Sequence, residues 1–117
     1  MAIIRIPHDT PASEAIVVAT GKLIAGNPSQ GVANLFSDPG AQFHCGIWEA
    51  EPAEWRVSYS EHEYCLMLEG RILIRADDGA ETLVVAGDSF VVPAGFSGTW
   101  QVLEKARKVY VIYEPKA

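Results

Sequence analysis

Nothing in this sequence approaches the run of about 20 apolar residues that crosses a bilayer. Basic residues are scarce: nine Lys and Arg stand against 15 Asp and Glu, for a formal charge of −6. Nucleic-acid binders need a basic footprint, so that class is set aside. The one basic cluster is Lys105, Arg107 and Lys108, beside Glu104 and Glu114, and it reads as a solvated strand end. Cysteine is nearly missing, with Cys45 and Cys65 alone. The opening stretch MAIIRIPHDTPASEA lacks the apolar core of a secretory signal, so a cytoplasmic location and reduced thiols are expected. Helical periodicity is almost absent, and no repeat or low-complexity linker divides the chain.

What is present is a single domain of 117 residues, 49% hydrophobic and 21% charged. Such a chain can bury about two-thirds of its unfolded surface and fold without disulfides. Short β-rich runs dominate: Ala15–Thr20, Gln42–Glu49, Glu54–Ser60, His62–Glu69, Arg71–Ala76, Thr82–Val85, Ser89–Val92, Thr99–Glu104 and Lys108–Tyr113. Turn residues separate them, as in Ala25-Gly26-Asn27-Pro28, Ser37-Asp38-Pro39-Gly40, Gly87-Asp88 and Pro93-Ala94-Gly95. Asp77-Asp78-Gly79 predicts a hairpin. Strands this short and this closely spaced mean an all-β sandwich or small barrel. Residues 1–35 are less regular and are expected to form a strand-and-loop arm packed on a barrel of residues 36–117. The strand from His62 is apolar on both faces, with Tyr64, Leu66 and Leu68 on one and Cys65 and Met67 on the other. Something must cover its outside, either the N-terminal segment or a second copy of the chain, so a homodimer is expected.

Two stretches carry more than pattern. One is Glu63-Tyr-Cys-Leu-Met-Leu-Glu-Gly70; the other is Gly87-Asp-Ser-Phe-Val-Val-Pro93-Ala-Gly95. Here the sequence resembles the cupin superfamily, whose first motif ends in Glu and Gly at this spacing and whose second begins in Gly, Pro and Gly. Gly46-Ile-Trp48, Pro93–Trp100 and the ending Arg107-Lys108-Val-Tyr110 extend the likeness to a branch of short single-domain cupins. That branch includes ureidoglycine aminohydrolase-like and ethanolamine-utilisation Q-like proteins. The resemblance implies an all-β jelly-roll barrel. Gly70 and Gly95 are expected at sharp turns between strands.

The resemblance also implies a metal held by two His before the Glu, by the Glu, and by a His after the second motif. This chain departs from it. The first two positions fall on Val57 and Tyr59, or on Arg56 and Ser58; the third falls on Gly98, and a further Asn is Val102. Glu63 alone remains, and such ions need three or four N, O or S ligands. No metal and no cofactor is therefore expected. An unusual set of His44, His62 and Glu63 is disfavoured because neighbours on a strand point to opposite faces. The same parity separates His62 from Cys65.

Parity with Glu63 turns Tyr59 and Cys65 inward, and parity with Gly98 turns Trp100 and Val102 inward. Trp48 and Phe43 are expected in the wall, Trp55 in the core, and Gly98 is expected to open space. The candidate site is thus Glu63 as an acid–base residue, with Tyr59, Trp100, Trp48 and Cys65 as ligand-binding residues around it. Burial would raise the Glu63 carboxyl unless a cation answers it. The leading reading is a barrel that binds a small organic metabolite without the usual metal. The alternatives are a metal-assisted or acid–base enzyme of aminohydrolase or isomerase type, using Glu63 with a metal held by unusual ligands, and a structural dimer with a filled barrel.

Overall fold

The computed structural model describes residues 2–19, 21–27 and 29–116. Thr20 and Pro28, which close an expected run and an expected turn, lie outside them. The described residues form nine strands and no helix. These are β1 (Glu14–Ile16), β2 (Leu23–Gly26), β3 (Gln30–Ser37), β4 (Phe43–Ala50), β5 (Ala53–Ser58), β6 (His62–Ala76), β7 (Glu81–Val85), β8 (Ser89–Val92) and β9 (Ser97–Tyr113). All pair antiparallel.

β6 and β9 are the spine. They pair from His62↔Tyr113 at one end to Ala76↔Gly98 at the other. The far edge of β9 meets β4 along Phe43–Ala50 and β5 along Ala53–Ser58. The far edge of β6 meets β8 near Glu63 and β7 beyond Gly70. Two sheet sections therefore share two long strands and curl around one core. This is the all-β jelly-roll barrel that the sequence implies.

Four expected runs are really two strands. His62–Glu69 and Arg71–Ala76 fuse into β6, and Thr99–Glu104 and Lys108–Tyr113 fuse into β9. Gly70 is thus no turn between strands. It has φ 89°, and a Cβ there would lie 2.2 Å from the Lys105 carbonyl oxygen. The register of β6 against β9 shifts around it, between Met67 and Ile72. A bulge of this kind bends a strand while pairing continues, so β6 can serve both sections. Between β6 and β7, Asp77-Asp78-Gly79 does form the hairpin. Gly79 has φ 95°, and Ala80 N–H donates to Asp78 Oδ1 at 2.9 Å. β2 and β3 carry no run that alternation picks out, yet β3 pairs with β4 from Gln30↔Ala50 to Ser37↔His44.

The inner face holds Trp48, Trp55, Cys65, Met67, Ile72, Ile74, Trp100 and Val102, all buried. Trp55 is a core residue, as expected. Phe43 is not in the wall: it is 38% exposed and packs edge-on against Phe36 at 6.1 Å. The opposite face is apolar too. Ile47 and Val109 are paired neighbours there, and both are buried. The N-terminal segment runs along this side, where Arg107 donates to the carbonyls of His8 at 2.8 Å and Thr10 at 2.9 Å. Tyr64 and its pairing partner Val91 stay open, 41% and 60% exposed.

Candidate functional site in the barrel

A cavity of about 420 Å³ opens at the end of the barrel where β5, β6 and β9 meet. Glu63 projects into it from β6. Trp100 and Lys108 project from β9, Trp48 from β4, and Tyr59 from the segment just after β5. Tyr59 is fixed by the turn of the second motif. Gly95 N–H donates to the Tyr59 carbonyl at 2.7 Å, and Tyr59 N–H donates to the Phe96 carbonyl at 2.9 Å. The Tyr59 hydroxyl then donates to Glu63 Oε1 at 2.9 Å.

The residue that composition misread is Lys108. It is no solvated strand end: it is 3% exposed and lies inside the barrel. Its ammonium donates to Glu63 Oε2 at 3.1 Å and to Cys65 Sγ at 3.4 Å. It also stands 4.2 Å from the centre of the Trp100 ring and 4.8 Å from that of Trp48. Cation–π contact of this kind strengthens when water is excluded. Lys108 is therefore the cation that answers Glu63. The sequence did carry a signal, since Lys108, Tyr110 and Ile112 alternate on one face of β9. Of its neighbours, Lys105 keeps the expected exposure, whereas Arg107 is largely covered by the N-terminal segment. Lys105 pairs with Glu51 at 3.6 Å and Arg107 with Glu49 at 2.7 Å.

The environment sets the protonation states. Burial alone works against the Lys108 ammonium, but the Glu63 carboxylate more than reverses it, and the group is held above its usual range. Burial pushes the Cys65 thiol up to about 12 against the pull of Lys108. Burial and the Glu63 charge both hold the Tyr59 phenol protonated. At neutral pH the cluster thus contains an ammonium, a neutral thiol and a neutral phenol. None of these is an activated nucleophile. Cys65 is fully buried behind Lys108 and does not line the cavity.

A family model for the EutQ-like cupin domain matches residues 37–110. The chain belongs to the EutQ-like cupin family. Similar solved structures include a DUF861-family protein from Thermotoga maritima, 38% identical over 55% of this chain and 73% of that one, with TM-score 0.54. The EutQ protein of Clostridium difficile is 22% identical over 90% of this chain and 81% of that one, TM-score 0.70. A protein of unknown function in the DUF861 family from Pseudomonas syringae is 24% identical, TM-score 0.81; the match covers 92% of this cupin and 46% of that chain. This cupin thus spans under half the length of the Pseudomonas protein. At such identity the latter two likenesses speak for the fold alone. No curated protein matches the chain.

The residues of this EutQ-like cupin do not fit the metal that the superfamily resemblance implies. Val57 and Tyr59 share the inner side of the cavity but offer no imidazole. At Gly98 no side chain could enter, because a Cβ there would lie 2.0 Å from the Arg75 carbonyl oxygen. Gly98 marks a close strand crossing and does not open space. Both Glu63 oxygens are already engaged, by Tyr59 and by Lys108. His62 points outward, stacks on Tyr113 and accepts from Ala94 N–H at 2.9 Å. His44 is tied to Ser37 at 2.7 Å and to the Ala41 carbonyl at 3.2 Å. Among the described residues no group of three His, Cys, Asp or Glu could hold a metal ion.

A second, smaller space of about 250 Å³ lies beside the first. Both are lined by Ile16, Trp48, Glu63 and Ile112. Of these shared residues, Ile16 is carried by the three-residue strand β1. The first 35 residues thus supply part of the wall. Among the described residues no helix is long and apolar enough to cross a membrane.

Proposed function

We propose that this EutQ-like cupin binds a small organic metabolite inside its barrel without a metal, in the cytoplasm and as a homodimer. The observation that carries the reading is the buried Lys108–Glu63 pair at the wall of an aromatic cavity. Two buried charges are costly to desolvate, and a well-packed apolar pair of the same volume is often as stable. A barrel meant only to be filled has no need of them. In the wall of a cavity they supply a donor and an acceptor side by side, which is what orients a small molecule in an otherwise apolar pocket. The unpaired, buried Cys45 and Cys65 suit a reducing compartment. The exposed Tyr64 and Val91 suit a second copy of the chain, which light scattering would register.

The chain of contacts from Tyr59 through Glu63 to Lys108 favours one further reading, an enzyme with Glu63 as the acid–base residue. The test of both uses the double variant Glu63→Gln/Lys108→Met, which removes both charges at nearly constant volume. The wild-type protein should show a saturable thermal shift with at least one member of a metabolite panel, and the folded double variant should lose it. A wild-type protein that responds to none would leave the structural dimer in place. Turnover of the bound compound that Glu63→Gln abolishes would establish the enzyme.

A further inference from the structure

The turn between β3 and β4 brings a hydroxyl, an imidazole and an amide together at the barrel end. Ser37 and His44 pair across the two strands, and Ser37 Oγ lies 2.7 Å from His44 Nδ1. The other ring nitrogen, Nε2, lies 3.2 Å from the Ala41 carbonyl oxygen. A carbonyl only accepts, so Nε2 carries the proton and Nδ1 is the bare nitrogen that accepts the Ser37 O–H. Asn34 completes the row. The one Ser37 proton is spent on His44, so the Asn34 atom facing Ser37 Oγ at 2.8 Å must be the donor Nδ2. Asn34 Oδ1 then accepts the Tyr110 hydroxyl at 2.7 Å. A hydroxyl bonded to a neutral imidazole, whose second nitrogen is held by an acceptor, is the arrangement that activates a serine.

Two further features set this row apart from an ordinary turn. Ala41 has φ 54°, the one positive φ outside glycine among the described residues. That conformation is strained for a residue with a Cβ, and such strain gathers at functional sites. The carbonyl of this strained residue is the one that orients His44. The turn around it is firmly tied, since Asp38 Oδ1 accepts from Gln42 N–H at 2.8 Å and from Phe43 N–H at 3.0 Å. The Phe43 and Gln42 amides, with the His44 charge adding to them, hold the Asp38 carboxyl below its usual range. An anion therefore stands near the imidazole when it takes up a proton. The second feature is room. His44 and Asn34 line the space of about 250 Å³, whose other walls include Ile16, Val32 and Ile112. Ser37, bonded to both, is exposed. A substrate can reach Oγ from water while an apolar group enters the space.

We propose that Ser37 and His44 form a hydrolytic dyad for small carboxylic esters with a short apolar acyl group, with Asn34 Nδ2 as the oxyanion donor. In the first step Ser37 Oγ bonds to the acyl carbon, and its proton passes to His44 Nδ1. The Asn34 N–H turns from Oγ to the oxyanion. The C–O bond to the alcohol breaks, and the leaving oxygen takes the proton from His44. Water then attacks the acyl carbon and gives a proton to His44. The bond to Ser37 breaks, and the serine oxygen recovers that proton. Ester and water have become acid and alcohol. No step uses the Lys108–Glu63 pair, so this activity goes beyond the binding function proposed above.

The test uses the full chain near pH 7, with p-nitrophenyl butyrate as substrate and an alkyl fluorophosphonate as a serine trap. The protein should turn over the ester, and Ser37→Ala and His44→Gln should each lower kcat/KM about a hundredfold. Melting temperatures of both variants should stay close to that of the wild type. Mass spectrometry should find one phosphonyl group on the wild-type chain, at Ser37, a readout that needs no variant to fold. p-Nitrophenyl acetate should be several-fold poorer than the butyrate, because it leaves the apolar space unfilled. Equal rates for the two esters would overturn the 250 Å³ space as the acyl site. Turnover that survives Ser37→Ala, as the exposed His8 or His62 could give, would overturn the dyad. So would a wild-type chain that neither turns over the ester nor takes the phosphonyl group.

Discussion

Two ion pairs in this molecule look alike on paper and differ in everything that matters. Arg56–Asp77 at the rim is the shorter, at 2.8 Å, with side chains 43% and 50% exposed. Lys108–Glu63 in the barrel is 3.1 Å, with side chains 4% and 7% exposed. Water screens the first, and exposed pairs contribute about 0–1 kcal/mol. Nothing screens the second, so each partner depends on the other. Distance is a poor guide to worth; burial decides it. The interior pair also acts on its surroundings, since the Glu63 charge adds to the burial that holds Tyr59 protonated and Lys108 pulls against the burial that raises Cys65, whereas the rim pair governs only itself.

The contrast breaks most easily at the interior pair. Lys108→Met or Glu63→Gln alone leaves a buried charge unanswered and should cost about 3–5 kcal/mol, or roughly 10–20 °C in melting temperature. The double variant should recover most of that loss. A double variant no more stable than either single would mean the two groups act independently.

Alkaline stability sharpens the same point. Burial raises Cys65 from 9.0 to about 12, so above pH 9 the unfolded chain releases a proton that the folded chain keeps. Stability from this group is complete below pH 9 and falls as pH rises toward 12, by about 1.4 kcal/mol per unit. Urea unfolding between about pH 8 and 10 should show this limb, and Cys65→Ala should flatten it. The raised Lys108 adds a further loss only above its ordinary value of 10.5, where the unfolded chain gives up a proton that the folded ammonium keeps.

At the boundary between interior and rim stands Ile16, which is 36% exposed. Ile16→Ala should cost about 1 kcal/mol or less, since little buried surface is lost. Its larger effect should be on size selection, because Ile16 lines both the space of about 420 Å³ and that of about 250 Å³. The affinity of a two-ring aromatic probe should rise several-fold while that of a one-ring probe changes less than twofold. Equal changes for both would show that Ile16 does not govern size selection.

The rim gives the smallest effect. Arg56→Ala should shift stability by less than about 1 kcal/mol, and added salt should erase the difference. A loss comparable to that of Lys108→Met would collapse the contrast.

Much of this was legible without coordinates. β-rich runs broken by turn residues marked the strands from Gln42 onward, and Asp77-Asp78-Gly79 gave its hairpin, because both are local properties of the chain. Strand parity set Glu63, Tyr59 and Trp100 toward one side. Local reading failed where the chain is irregular. It cut β6 and β9 in two, because a bulge at Gly70 looks like a turn when the opposing strand is unseen. It missed β3, whose composition is unremarkable and whose strand form comes from pairing with β4.

Sequence alone determined that this chain is an all-β barrel and that the histidines of a metal site are absent. The side chains named by position carry that information, whatever the packing. Only the tertiary structure decided where the charge of Lys108 goes. Its partner Glu63 lies 45 residues away, while its neighbour Lys105 faces water and Arg107 is covered by the N-terminal segment on the opposite face. Nothing local distinguishes a solvated lysine from a buried one. The distinction arises when β4, β6 and β9 close around it, bringing a carboxylate and two indole rings within reach and leaving no water to take their place.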